Sequence, residues 1–189
     1  MPYINLASIR LCTESEGPGK RTAVWVQGCQ RRCPGCCNPH MQEIRKNKII
    51  DTEDLVNLIR TAKEKYSIEG VTFLGGEPIL QAEGLSYIAQ WCRNNNLSVI
   101  VFTGYLYNEL LEMENCHVLK LLQFTDVLID GPFIENLYDT ERDWIGSSNQ
   151  KVYFLTNFYN PDIEYGTHTR SMEINISEKT FQINGWPFM

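Results

Sequence analysis

Short apolar runs alternate along this chain with stretches of helical periodicity. Thr22 to Gln27, Gly70 to Leu74, Leu97 to Phe102, Val127 to Ile129 and Val152 to Leu155 are rich in β-formers and bounded by turn residues, the pattern of buried strands. Ile4 to Leu11 alternates weakly, as a first strand or a lead-in. Asp51-Thr52-Glu53-Asp54 supplies a capping residue and first-turn acids, after which Leu55, Leu58, Ile59 and Ala62 recur at helical spacing. A second helix is predicted from Ala82 to Asn94, with Leu85, Ile88, Ala89 and Cys92 on one face, and a third from Leu106 to Asn115. Strands alternating with helices imply a parallel sheet with right-handed crossovers. There are too few units for eight strands. The expected fold is therefore α/β: a partial, open parallel β/α barrel of about five to six strands. Phe158 to Arg170 has little pattern, and Met172 to Ile176 with Thr180 to Ile183 predict a C-terminal β-hairpin around Ser177-Glu178-Lys179. No repeat or composition shift divides the 189 residues. The expectation is one domain over 1–189, with a core at about 17–155 and a C-terminal extension at 156–189.

Charge and cysteine content narrow the class. A net charge of −6 argues against a general nucleic-acid surface. Basic residues do gather at Arg31-Arg32 and Arg45-Lys46-Asn47-Lys48, as a solvated face or a landing point for an acidic partner. No signal peptide and no membrane-length apolar stretch is read, so a cytoplasmic protein without membrane contact is expected. Of seven cysteines, four fall between positions 29 and 37, a poor disulfide framework and a good metal loop.

Cys29, Cys33 and Cys36 stand at C-x3-C-x2-C spacing directly after a predicted strand. Thiolates select zinc, copper(I) or iron–sulfur clusters. Cubane clusters usually take four cysteines, so three in one loop leave a distant fourth ligand or an open iron. An open coordination position is the mark of a catalytic metal site. Pro34 and Gly35 tighten the loop and let backbone N–H groups approach the sulfurs. The next strand delivers Gly75-Gly76-Glu77-Pro78, where the glycines allow the main chain close to a ligand and Glu77 offers a carboxylate to an ammonium group. Read alone, the same four residues make an ordinary strand-to-helix turn. Thr103 and Gly104 follow the third strand and Asp130 the fourth, all at the end where β/α active sites lie. Asp130 has a plainer role open to it, bonding the backbone of its own turn. Cys92 reads as core, and the adjacent Cys116-His117 as structural.

The two motifs in this order resemble those of the radical S-adenosylmethionine (SAM) superfamily. Gly17-Pro18-Gly19-Lys20-Arg21 is similar to the Gly-Pro-Gly-x-Arg of glycyl-radical activating enzymes. The run from Asp126 to Gln150 resembles the anaerobic ribonucleotide reductase activating enzymes. The resemblance covers about Gly17 to Leu155. It implies one [4Fe-4S] cluster held by Cys29, Cys33 and Cys36, with SAM chelated to the fourth iron. It further implies that Gly75, Gly76, Glu77 and Pro78 hold the methionine end, and that Thr103, Gly104 and Asp130 serve the adenosyl half. Asn149 and Gln150 are left between a contact with SAM or a partner and a turn. The implied reaction is reductive cleavage of SAM to a 5′-deoxyadenosyl radical, which abstracts hydrogen from a Gly of a glycyl-radical enzyme. Anaerobic ribonucleotide reductase is the implied partner, with an electron donor such as flavodoxin or ferredoxin. Two departures stand out: Cys37 replaces an aromatic residue, and Lys20 an aliphatic one. The rival readings are a radical SAM enzyme acting on a small molecule or peptide, and a zinc-binding interaction module built on Cys29, Cys33, Cys36 and Cys37.

Overall fold

The computed structural model describes residues 2–165, 172–176 and 181–185. In chain order its elements are β1 (Tyr3–Thr13), β2 (Arg21–Val26), β3 (Lys48–Asp51), α1 (Thr52–Tyr66), β4 (Gly70–Gly75), α2 (Ala82–Asn94), β5 (Ser98–Phe102), α3 (Tyr107–Glu112), α4 (Cys116–Gln123), β6 (Val127–Asp130), β7 (Lys151–Phe154), β8 (Met172–Ile176) and β9 (Phe181–Gly185). Strands β1 to β7 form one sheet in the order β3-β1-β2-β4-β5-β6-β7. Its centre, β2-β4-β5-β6, is parallel, as the alternation of strands and helices predicts. The flanks differ from the expectation: β1, β3 and β7 all pair antiparallel, so the sheet has seven strands of which four are parallel.

The sheet buries its two faces differently. Val24, Val26, Val71, Phe73, Val99, Val101 and Leu128 point toward Leu55, Ile59, Leu85, Ile88, Cys92 and Leu121 of the helices. The intervening residues, Ala23, Trp25, Leu74, Ile100, Val127 and Ile129, point the other way. There the cover is loops, including Met41 and Ile145, rather than helices. Period-two alternation thus builds a helix-backed face and an open one.

α1 begins where Asp51 accepts from the Glu53 amide at 2.8 Å. The helix predicted from Leu106 to Asn115 is the shorter α3, and a further helix that the sequence reading did not predict, α4, follows it, capped by Asn115 through the His117 amide at 3.0 Å. Cys116 and His117 therefore open α4 rather than close a helix. At the far end of the parallel strands Arg21 is fully buried. It donates to Thr72 Oγ1 (2.8 Å), Pro18 O (3.1 Å), Ser98 Oγ (3.0 Å), Tyr159 OH (2.8 Å) and Val71 O (2.7 Å), so the charge is enclosed but satisfied. The Gly-Pro-Gly-x-Arg stretch thus ends in a plug on the sheet's N-terminal side.

β8 and β9 form an antiparallel pair, as predicted; the predicted turn Ser177-Glu178-Lys179 lies outside the described residues. The pair is moored to the β1–β2 connection. Asn184 donates to Thr13 Oγ1 and Ser15 Oγ (3.0 and 2.8 Å), Glu173 accepts from the Glu14 amide (2.8 Å), and Glu16 accepts from the Gly185 amide (2.8 Å). Burial pushes the Glu16 carboxyl up to about 7, with Glu173 adding to the rise. A raised carboxyl pKa means that the docked state holds a proton which the undocked state has released. Docking is therefore favoured below the ordinary carboxylate range and weakened as pH rises through about 7. Hydrogen exchange at the Gly185 amide, corrected for intrinsic rates, is expected to lose protection between about pH 5 and pH 8, and Glu16→Gln to flatten that dependence. A flat profile in the unmodified protein would remove Glu16 from the docking equilibrium.

Candidate active site

β2 runs directly into the cysteine loop. Gly28 turns the chain at φ 98°. The loop is then anchored by its own return segment: Gly28 N donates to Met41 O at 2.8 Å and Cys29 N to Gln42 O at 3.0 Å. Within it, Cys36 N donates to Cys33 O at 3.3 Å, closing a tight turn around Gly35, whose φ of 70° suits glycine. Cys29, Cys33 and Cys36 all line one cavity of about 1280 Å³. Burial pushes the Cys29 thiol up. Cys36 is lowered to about 6, first by a hydrogen bond from the Cys37 thiol and further by the Asn38 amide at 3.4 Å, while Cys37 is pushed up as the donor.

The Gly-Gly-Glu-Pro loop lies at the end of the adjacent strand and is sewn to the cysteine loop by main chain. Gly76 N donates to Val26 O at 2.7 Å, and Glu77 N to Gly28 O at 2.9 Å. A Cβ on Gly75 would meet Val26 N at 2.6 Å, and one on Gly76 would meet Gly28 O at 2.4 Å. The glycines are thus required by backbone packed on backbone, a reason different from close approach to a ligand, although both also line the cavity. Glu77 is buried, and Pro78 starts a short 3-10 turn behind it. Its Oε1 accepts from Ile79 N (3.0 Å) and Thr103 Oγ1 (2.8 Å), and its Oε2 from Gly104 N (2.8 Å). Burial raises the Glu77 carboxyl, partly offset by those donors. Glu77, Thr103 and Gly104 are therefore one hydrogen-bonded group at the cavity wall.

Asp130 stands apart. Its Oδ2 accepts from Tyr107 N at 2.8 Å and its Oδ1 from Lys151 N at 3.1 Å, so it fastens the starts of α3 and β7 while Gly131 faces the cavity. Gln150 likewise serves its turn, accepting from the Gly146 amide at 2.8 Å and donating to Gly131 O at 3.0 Å. Asn149 donates to Pro132 O at 2.8 Å. One residue was missed by sequence reasoning. Arg31, read there as part of a basic pair on a solvated face or at a landing point for an acidic partner, stacks its guanidinium 4.0 Å from the Tyr105 ring centre and pairs with Glu109. It bolts the cysteine loop to the turn after β5, and its buried Nε has no hydrogen-bond partner among the described residues. Only its place between the first two cysteines could have flagged it.

The donor set suits an iron–sulfur cluster. No group of three His, Cys, Asp or Glu among the described residues gathers where one metal ion would sit. A cubane makes no such demand, because each thiolate binds a different iron. The cavity exceeds the roughly 300–1,000 Å³ of an ordinary small-molecule pocket.

Comparison with known proteins gives the family. A family model described as "4Fe-4S single cluster domain" matches residues 15–153. The anaerobic ribonucleoside-triphosphate reductase-activating protein of Enterobacteria phage T4 is 29% identical over 158 residues, covering 82% of this chain and 96% of that protein. The protein of the same name from Haemophilus influenzae is 30% identical over 144 residues, 72% of this chain and 89% of its own. The pyruvate formate-lyase-activating enzyme of Clostridium pasteurianum is 36% identical over 119 residues, 61% of this chain and 50% of its own. Three sulfurs and a glycine loop sewn together at one cavity, and relatives matched over most of their length, place the chain in the 4Fe-4S single cluster domain family, among the radical SAM activating proteins of anaerobic ribonucleoside-triphosphate reductase.

Proposed function

We infer that this chain activates an anaerobic ribonucleoside-triphosphate reductase by installing a glycyl radical on it. The observation carrying the reading is the main-chain junction of the cysteine loop with Gly75-Gly76-Glu77 at one cavity. When bound, a reduced [4Fe-4S] cluster would supply one electron to the sulfonium C–S bond of SAM, and the cleavage to methionine and a 5′-deoxyadenosyl radical would provide the hydrogen-atom acceptor for a glycine Cα. Cys29, Cys33 and Cys36 would hold the cluster. Gly75, Gly76, Glu77 and Pro78 would form the wall at the methionine end, with Glu77 keeping the Thr103-Gly104 turn in position. Asp130 would support the adenosyl side by fixing α3 and β7. Hydrogen-atom abstraction needs no acid or base from the protein, whose tasks are orientation and exclusion of water.

The open sheet is read as part of a β/α barrel, supported by the site's position at the C-terminal ends of β2, β4 and β5. One domain over 1–189 working in the cytoplasm, with a flavodoxin or ferredoxin as electron source, completes the proposal. No helix of the described residues is long and apolar enough to cross a membrane. The test is anaerobic incubation with SAM, reductant and the reductase, followed by electron paramagnetic resonance. A glycyl doublet on the reductase is expected. SAM cleavage without a doublet would move the substrate to a small molecule or peptide; a colourless protein holding one zinc would overturn the reading altogether.

A further inference from the structure

We propose that the β8–β9 pair is a lid: moored beside the site by its polar face, it closes its apolar face over the cavity once SAM is bound. This rests on the function proposed above. The pair lies outside residues 15–153, the stretch that the family model matches, yet Met172 and Ile183 line the same cavity as Cys29, Cys33 and Cys36. Its register sets Ile174 opposite Ile183 and Glu173 opposite Asn184. Residues paired across antiparallel strands share a face, and successive residues alternate between faces. Met172, Ile174, Ile176 and Ile183 therefore fall on one face, and Glu173 and Asn184 on the other.

The attachment is inverted. A sheet with one apolar face ordinarily lays that face on the core and gives the polar one to water. Here the polar face is the fastened one: Asn184 and Glu173 bond the β1–β2 connection, and Arg10 Nε donates to Asn184 Oδ1 at 3.4 Å. The apolar face is left open, with Met172, Ile174, Ile176 and Ile183 exposed by 39%, 50%, 77% and 55%. Among the described residues, none of the pair belongs to the buried clusters on either face of the main sheet. Hydrogen bonds of this kind are exchanged for bonds to water at small net cost, so the mooring is easily released. What the apolar face can cover lies beside it, because Trp25, Leu74 and Phe102 on the open face of the main sheet line the same cavity. Closing there buries isoleucine side chains and shuts water out of the occupied site. Closure has to break the Glu173 and Asn184 bonds, so the mooring and the closed position compete for one element. A ligand biases such an element only through contacts made in one of its positions. SAM in the cavity supplies those contacts to the closed position alone.

The experiment loads the anaerobic, cluster-bearing protein with radiolabelled SAM and follows its release after dilution into unlabelled SAM. It compares the parent with Ile174→Ser/Ile176→Ser, which strips the apolar face, and with Glu173→Ala, which loosens the mooring. None of the three substituted residues lines the cavity, so a changed release rate reports the position of the pair and not a lost contact with SAM. The double serine variant is expected to release SAM about fivefold faster or more. Glu173→Ala is expected to release it severalfold more slowly, because the closed position then competes with a weaker mooring. Hydrogen exchange at the Glu14 amide, which donates to Glu173 Oε1 at 2.8 Å, is expected to quicken when SAM is added to the parent. Release at the parental rate from the double serine variant overturns the proposal. So does a shift of both variants in the same direction, which would make the pair a fixed wall, and so does Glu14 exchange that SAM leaves unchanged. A parent that binds no SAM would overturn the function proposed above, an outcome seen before any variant is compared.

Discussion

Cys33→Ala is expected to reduce iron from about four per chain to background and to abolish SAM cleavage, whereas Cys37→Ala keeps both. The two residues sit four positions apart in one loop, and composition alone does not separate them. Geometry does. Both line the cavity, but the Cys36 amide closes its turn on Cys33 O, and removal of Cys33 would leave two sulfurs for a cluster that needs three. Cys37 is the neighbour that lowers the Cys36 thiol most. Losing that neighbour should shift the cluster's midpoint potential to more negative values while the cluster stays in place. Iron analysis and a redox titration of the anaerobic proteins read both outcomes. Loss of iron in Cys37→Ala would put the fourth sulfur among the ligands.

Gly76→Ala carries the second large effect. The new methyl group would stand 2.4 Å from Gly28 O and 2.8 Å from Gly28 C, both backbone atoms of the facing loop. No side chain can rotate away to relieve that contact, so the main chain of one loop must move. A cost of about 3 kcal/mol or more is expected, at the upper end for single substitutions. The junction bonds Gly76 N–Val26 O and Glu77 N–Gly28 O would be strained with it. The measurement is the denaturant midpoint together with SAM affinity; a variant as stable and as tightly binding as the parent would show that the two loops are not rigidly joined.

Much of this could be read from the chain before its fold was known, and the reasons are specific. The parallel strands are runs such as Thr22 to Gln27 and Leu97 to Phe102, buried on both faces and hence nearly continuous in apolar residues. β3 was not legible: Lys48-Ile49-Ile50-Asp51 is too short and too charged, and it becomes a strand because Ile50 pairs with Ile4 of β1. The direction of β7 was equally hidden, since it is set by the long loop that brings Val152 back against Ile129. In the site, the cysteines and glycines announce themselves by spacing. The partners of Glu77 do not, because Thr103 and Gly104 lie 26 and 27 residues away and meet it only when β4 and β5 align. Arg31 escaped for a related reason, its companions Tyr105 and Glu109 belonging to another strand's end.

The junction between the two loops is made of amides and carbonyls, which every residue type except proline provides. Divergence of side chains therefore leaves the spacing between the two loops untouched, so long as the two glycines persist. An enzyme built this way can exchange its surface, and with it its clients, without altering how the two loops meet.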